Sequence, residues 1–378
     1  MIEPFGFHLP IRIAFGDGSV GGLAEVLEEL DSTNALAVVE EPVAAIDAVT
    51  QAVGVCGGTY LKPPGEPTFE MIAGLTARMH EHRPDALVAI GGGSTMDMAK
   101  AARLEFGQGE PFERFTRFEV AVTEPALPLV TVPTTSGTGS EVSGGAVVTA
   151  GARKRGAAHP LMRAQHALVD PLLTLDLPAA PTRDCGTDAL AQAIGGVIVR
   201  NGNPGSVALG LEACRYLAEG LPAAVADGHD RAARAQTSLG SLMAGLSMNL
   251  SDCGADHALG HALGGLAHLP HGLTVGLFLA EALDTNRRVC APALERVADA
   301  LGEPAGGSGD GARAVSAVRR ILAGVEFPTC SSLELDRGLI DAMVPAALDD
   351  YCLSVDPLDW NEDDVKAAYH AAWALTTR

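Results

Sequence analysis

No apolar run in this sequence is long enough for a membrane-spanning helix, so a transmembrane protein is not expected. The first ten residues, MIEPFGFHLP, show neither a basic stretch nor an apolar core, so no secretory leader is expected. Basic residues are scarce: 26 Lys and Arg stand against 47 Asp and Glu, a formal net charge of −21. So acidic a chain repels phosphate backbones and anionic lipid, which argues against nucleic acid or a membrane surface as partner. No C-x-x-C pair occurs among the seven cysteines (Cys56, Cys185, Cys214, Cys253, Cys290, Cys330, Cys352), which are odd in number and scattered. Buried free thiols in a reducing cytoplasm are the expectation. Repeats, low-complexity tracts and linkers are absent too, apart from a Gly-rich loop near Gly306–Gly311.

What is present is a globular pattern. About 47% of the 378 residues are apolar, enough for one large or two ordinary domains. Ile11–Phe15, Ala35–Val39, Ala86–Ile90 and Leu127–Val132 read as strands, with helices over Val20–Leu30 and from Ser94 to about Glu105. Continuous apolar strands with helices between them imply a parallel sheet covered on both faces. After about residue 180 the strand signals stop, and Ala- and Leu-rich helices follow to a last one at Glu362–Leu375. The expectation is a Rossmann-like α/β dinucleotide-binding domain over residues 1–180. An all-α domain for metal and substrate over 181–378 follows, with the active site in the cleft between them.

Two loops suit a cofactor. Strand Ala86–Ile90 runs into Gly91-Gly92-Gly93-Ser94-Thr95-Met96-Asp97. Glycines let a backbone approach a pyrophosphate, and the following helix offers free N–H groups and its dipole to the anion. Ser94 and Asp97 have the spacing of a capping box. After strand Leu127–Val132 comes Pro133-Thr134-Thr135-Ser136-Gly137-Thr138-Gly139-Ser140-Glu141, with hydroxyls and glycines suited to phosphate, ribose and nicotinamide. A literal G-x-G-x-x-G, Gly16 to Gly21, also follows a strand, but a lone match is a weak signal. Glu40 ends strand Ala35–Val39, where an acid bonds a ribose 2′-hydroxyl and repels a 2′-phosphate; this favours NAD(H) over NADP(H).

The chemistry-bearing segment lies further on. Asp256-His257-Ala258-Leu259-Gly260-His261 continues to His268 and His271, four histidines in fifteen residues. His257 and His261 share a helix face, and clustered imidazoles suit a divalent metal or a proton relay. Upstream, Asp188 and Gln192 are likewise four apart.

Together these segments resemble the iron-containing (group III) alcohol dehydrogenase family, whose architecture dehydroquinate synthase shares. The resemblance runs from Phe15-Gly16-Asp17-Gly18-Ser19 through GGGS-x-x-D and PTT-x-GTGSE to Asp356-Pro357 and Glu362–Val365. It implies an NAD(P)-dependent enzyme that reduces an aldehyde or ketone to an alcohol, and it implies a homo-oligomer such as a dimer. It places the pyrophosphate at Gly91, Gly92, Gly93, Ser94 and Asp97, and further cofactor contacts at Thr134, Thr135, Thr138 and Lys154. It places Fe²⁺ or Zn²⁺ on Asp188, His257 and His271, with Gln192 at a fourth position where the family carries His. It makes His261 a proton-relay candidate beside the catalytic His257 and His271. A neutral amide donates weakly, so Gln192 weakens the site, and Gly195 stands where family members often have Glu.

Two rival readings remain open. A metal-independent enzyme like the maleylacetate reductases would use His257, His261 and His271 to donate directly to the carbonyl oxygen. A dehydroquinate-synthase-like carbocycle former, or a binding protein without catalysis, would share only the architecture. Arg153-Lys154-Arg155, His159, Arg163 and His166 form a basic cluster that would steer a carboxylated or phosphonylated aldehyde.

Overall fold

The computed structural model describes residues 4–123, 127–151 and 153–376, and it divides into two compact units, Met1–Asp176 and Leu177–Arg378.

The first unit holds strands β1 (Arg12–Phe15), β2 (Leu36–Glu40), β3 (Gly58–Lys62), β4 (Leu87–Gly91), β5 (Leu129–Pro133), β6 (Gly145–Ala150), β7 (Arg153–Ala158) and β8 (His166–Val169). Six form a wholly parallel sheet in the order β1-β8-β5-β4-β2-β3, while β6 and β7 pair as an antiparallel hairpin. Helices α1 (Leu23–Glu29), α2 (Asp47–Val53), α3 (Phe69–His82), α4 (Gly93–Gln108) and α5 (Phe112–Thr116) cover it. Side chains alternate between the faces of a strand. Leu36, Val38, Leu87 and Ala89 pack with Ile72 and Leu75 of α3 and Met96 of α4. Ala37, Val39, Val88 and Ile90 pack on the opposite face with Leu23 and Leu27 of α1 and Val49 of α2. Both faces are therefore apolar, which is why these strands read as unbroken apolar runs. Burying each of the Val, Leu, Ile or Met side chains among these stabilises the fold by roughly 1.5–3 kcal/mol.

Differences from expectation are local. The helix expected from Val20 begins as a short 3-10 turn, Ser19–Gly22, and α1 starts only after the two glycines. Strands β3, β6, β7 and β8 were not foreseen: β3 alternates in burial, and β7, RKRGAA, reads as a basic loop.

The second unit is helical among its described residues: α6 (Ala179–Ile198), α7 (Pro204–Ala226), α8 (Arg231–Leu250), α9 (Ala255–Ala267), α10 (His271–Ala300), α11 (Ala312–Gly324), α12 (Ile340–Leu348), α13 (Tyr351–Ser354) and α14 (Glu362–Ala374). Its core joins α6, α9 and α10 through Leu190, Ile194, Leu259, Leu263, Val275 and Phe278. All seven cysteines are free thiols; Cys214, Cys253, Cys290 and Cys330 are buried, and Cys56, Cys185 and Cys352 are partly exposed. No helix is long and apolar enough to cross a membrane among the described residues.

Candidate functional site

The first unit builds a cradle at the carboxyl ends of its central strands. Gly91 closes β4, and Gly92, the N-cap of α4, has no side chain of its own to cap that helix. The expected Ser94–Asp97 capping box does not form. Asp97 instead accepts from the Ser140 hydroxyl at 2.6 Å and the Val147 N–H at 2.9 Å, and lies 3.6 Å from the Lys100 ammonium. A carboxylate gains more beside a buried cation than at an N-cap already served by another acid. That acid is Glu40: its Oε2 accepts the Gly92 N–H at 3.1 Å, and its Oε1 lies 3.5 Å from Ser94 Oγ.

The second loop crosses close above the first. Thr134 donates its N–H to the Gly91 carbonyl at 3.0 Å, and Thr135 methyl and hydroxyl atoms border Gly92. A Cβ at Gly93 would stand 2.6 Å from Thr138 Cγ2, so only glycine lets the two loops touch. Lys100 ties the cradle from below, donating to Ser140 Oγ, Ser143 Oγ and the Gly145 carbonyl at 2.7, 3.1 and 2.9 Å. Burial pulls its pKa down to about 8, and burial pushes neighbouring Glu141 up to about 7. The Gly16–Gly21 motif, by contrast, follows edge strand β1 and opens only the four-residue 3-10 turn.

The basic segment does not form one cluster. Lys154 lies on β7 and pairs with Glu66 at 3.4 Å. Arg163 donates to the His8 carbonyl, His159 accepts the Leu161 N–H, and His166 is buried in β8 with Glu29 at 3.8 Å. The side chain of Arg153 lies outside the described residues.

In the second unit three helices converge on one carboxylate. Asp188 and Gln192 face inward from α6, His257 and His261 come from α9, and His271 is the first residue of α10 after Pro270. The approach of α10 to α6 needs a glycine, because a Cβ at Gly272 would stand 2.2 Å from the Asp184 carbonyl oxygen. Nε2 of His257 and Nε2 of His271 both point at Asp188 Oδ1, at 3.3 and 3.5 Å. Ligand atoms of these three residues all lie within 4.8 Å of one another. Burial opposes ionisation of Asp188, yet His271 and His257 hold its carboxyl far below the usual range. Burial likewise opposes charge on His257, but Cys253, Asp256 and Asp188 push its pKa well above the ordinary value.

Partners outside this trio orient it. Asp256 holds His257 Nδ1 at 2.9 Å, fixing the ring so that Nε2 faces Asp188. The Gln192 amide donates to Asp188 Oδ2 at 3.1 Å, which leaves Asp188 Oδ1 and Gln192 Oε1 buried without a hydrogen bond. His261 lies on the rim, its ring 5.2 Å from that of His271, and its Nδ1 meets Asp350 Oδ2 at 2.9 Å. Burial opposes ionisation of Asp350, and the bond from His261 overrides it and lowers the pKa. His268 is exposed and forms the left-handed C-cap of α9. An unbonded carboxylate oxygen facing two imidazole nitrogens offers three donors of the kind that could hold a divalent cation. The sequence signals missed Asp256 and Asp350. Asp256 adjoins His257 and could have been weighed, but Asp350 lies 89 residues from its partner and had no local signal.

Comparison with known proteins identifies the family. Residues 10–171 match the family described as "Iron-containing alcohol dehydrogenase", and residues 182–373 match "Fe-containing alcohol dehydrogenase family, C-terminal". The chain belongs to the iron-containing alcohol dehydrogenase family. Within that family it is 32% identical over 314 residues to "Probable alcohol dehydrogenase EutG" of Escherichia coli, covering 82% of this chain and 78% of that protein. It is 28% identical over 365 residues to "NAD-dependent methanol dehydrogenase" of Bacillus methanolicus, covering 93% and 95%. A solved 1,3-propanediol oxidoreductase superposes with a TM-score of 0.92 at 26% identity, covering 98% of this chain and all of that one. The group III fold expected from the sequence, an α/β dinucleotide-binding unit and a helical unit, is thus the fold of the chain. NAD and a divalent metal are the family's cofactors in general.

Proposed function

We propose that this iron-containing alcohol dehydrogenase family member is an NAD-dependent oxidoreductase that reduces a small aldehyde or ketone to its alcohol by hydride transfer. The observation that carries the reading is the convergence of Asp188 Oδ1 with Nε2 of His257 and His271. Asp188, His257 and His271 would hold Fe²⁺ or Zn²⁺, which supplies Lewis-acid polarisation of the carbonyl oxygen. Gln192 serves this site as the partner that orients Asp188. With three strong donors in place of four, binding is weaker than with a fourth imidazole, and three ligands with an open position suit catalytic zinc.

His261, fixed through Nδ1 by Asp350, presents its other nitrogen to give a proton to the forming alkoxide and to recover it from solvent at the rim. His257 and His271 would act as the two imidazole donors beside the Asp188 carboxylate. Gly91, Gly92, Gly93 and Ser94 would receive the pyrophosphate at the N-terminus of α4, with Thr134, Thr135 and Thr138 alongside. Asp97 acts beneath that loop by holding Ser140 and the β6 backbone, and Lys154 supports β7 through Glu66. The Glu40 carboxylate disfavours a 2′-phosphate, so NADH is the expected reductant.

The metal-independent, maleylacetate-reductase-like alternative is not favoured: the family matches are to alcohol dehydrogenases, and the Asp188 donor set suits a cation. The basic segment adds no argument for an anionic carbonyl, since Lys154, His159, Arg163 and His166 are engaged with separate partners. We place the working enzyme in the cytoplasm as a homodimer. Among the described residues β1 is an edge strand of the sheet and all four of its residues are exposed, which suits pairing with a second copy.

Elemental analysis of protein purified without chelator tests the reading, paired with NADH oxidation on an aldehyde panel before and after EDTA. About one Zn or Fe per chain, with activity lost to EDTA and restored by metal, is expected. Metal-free protein with undiminished activity would overturn the metal-based reading.

A further inference from the structure

We propose that Lys62 is a positioning residue for cofactor choice: it locks the Glu40 carboxylate at the N-terminus of α4 as a fixed acceptor for a ribose 2′-hydroxyl. The proposal rests on the cofactor reading above. Glu40 and Lys62 close neighbouring strands β2 and β3 and are register partners, while β4, which leads into the glycine loop, flanks β2 on its other side. The Lys62 side chain is wholly buried. Its ammonium has three protons to donate. The Pro63 carbonyl at 3.0 Å, the Gly65 carbonyl at 2.8 Å and Glu40 Oε1 at 3.4 Å take all three.

A buried ammonium needs a counter-charge, and Glu40 supplies it. The arrangement constrains Glu40 equally. Its Oε2 accepts from Gly92, and its Oε1 accepts from Lys62 and, more distantly, Ser94. A carboxylate has about four acceptor positions. With three occupied, one remains for an incoming hydroxyl, and the carboxylate cannot swing away from an incoming phosphate. Direct capture of a 2′-phosphate by Lys62 is disfavoured, because the ammonium is enclosed beneath Glu40 with every proton engaged. Lys62 acts through Glu40.

The test is direct binding of NADH and NADPH to the full chain, read from nucleotide fluorescence, with the ratio of the two dissociation constants as the quantity of interest. Glu40→Gln is expected to reduce the preference for NADH about tenfold by removing the repelling charge. Lys62→Met is expected to reduce it at least about threefold, and in the double variant the Lys62 change should add nothing to that of Glu40→Gln. Lys62→Gln, which keeps a donor for the two backbone carbonyls, carries the same test if the Met variant does not fold. A lowered ratio in Glu40→Gln with an unchanged ratio in both Lys62 variants overturns the role of Lys62. So does a further loss of NADPH binding in the double variant, since Lys62 would then touch the phosphate itself. An unchanged ratio in Glu40→Gln strikes instead at the reading of this loop as the cofactor site.

Discussion

Replacing Gln192 by Leu isolates what this amide does for the metal site. Gln192 and Asp188 are both buried on α6, and Gln192 Nε2 donates to Asp188 Oδ2 at 3.1 Å. Leucine fills a similar volume without a donor, so Asp188 Oδ2 loses its partner in a dry environment. A hydrogen bond to a buried charged group is worth about 1.5–3 kcal/mol. If that energy is what aims Asp188 Oδ1 at the cation, affinity falls by about one to two decades, the usual effect of losing a group that orients a ligand. The assay is competition for Zn²⁺ with a chromophoric chelator, using protein stripped of metal, alongside thermal unfolding of the stripped protein. Gln192→His should move affinity in the opposite direction, because an imidazole four residues from Asp188 on the same helix face supplies a fourth nitrogen donor. Zinc affinity in Gln192→Leu equal to that of the parent chain would refute the orienting role.

Further outcomes follow from the same geometry. His257→Ala should lose both metal and activity, whereas His261→Ala should keep the metal and lose roughly a hundredfold in kcat; loss of metal from the His261 variant would remove the distinction drawn between them. Gly93→Ala forces a Cβ to 2.6 Å from Thr138 Cγ2; it should weaken NADH binding and cost about 1–3 kcal/mol of stability, read by fluorescence titration and urea unfolding. Glu141, raised by burial from its ordinary 4.5 to about 7, holds its proton longer folded than unfolded. Its contribution to stability is complete below pH 4.5 and is lost as pH rises through 7, at most about 3 kcal/mol. Urea midpoints of Glu141→Gln should fall less between pH 5 and pH 7.5 than those of the parent chain, and an identical fall would dismiss Glu141 as the source.

Much of this protein is written in its sequence because the determining interactions are local. The apolar runs Leu36–Val39 and Leu87–Ile90 could only be strands covered on both faces, since each places alternate side chains into two different cores. The glycine loop before α4 and the i, i+4 pairs Asp188–Gln192 and His257–His261 announce themselves through spacing along one element. Short strands β3, β6, β7 and β8 did not: β3 alternates in burial, the β6–β7 hairpin carries the basic run Arg153–Arg155, and four-residue β8 finds its partners β1 and β5 far along the chain. The tertiary structure alone decided which groups meet. It turned Asp97 away from its helix end toward Ser140 and Val147, and it dispersed the basic segment among separate partners. It brought Asp350 to His261 across 89 residues, and it set Lys62 beneath Glu40. It also let α10 close on α6 at Gly272, so that His271 reaches Asp188. Spacing fixes which side chains share a face, but a buried charge takes whichever partner the packing of distant elements delivers, and no local pattern records that choice.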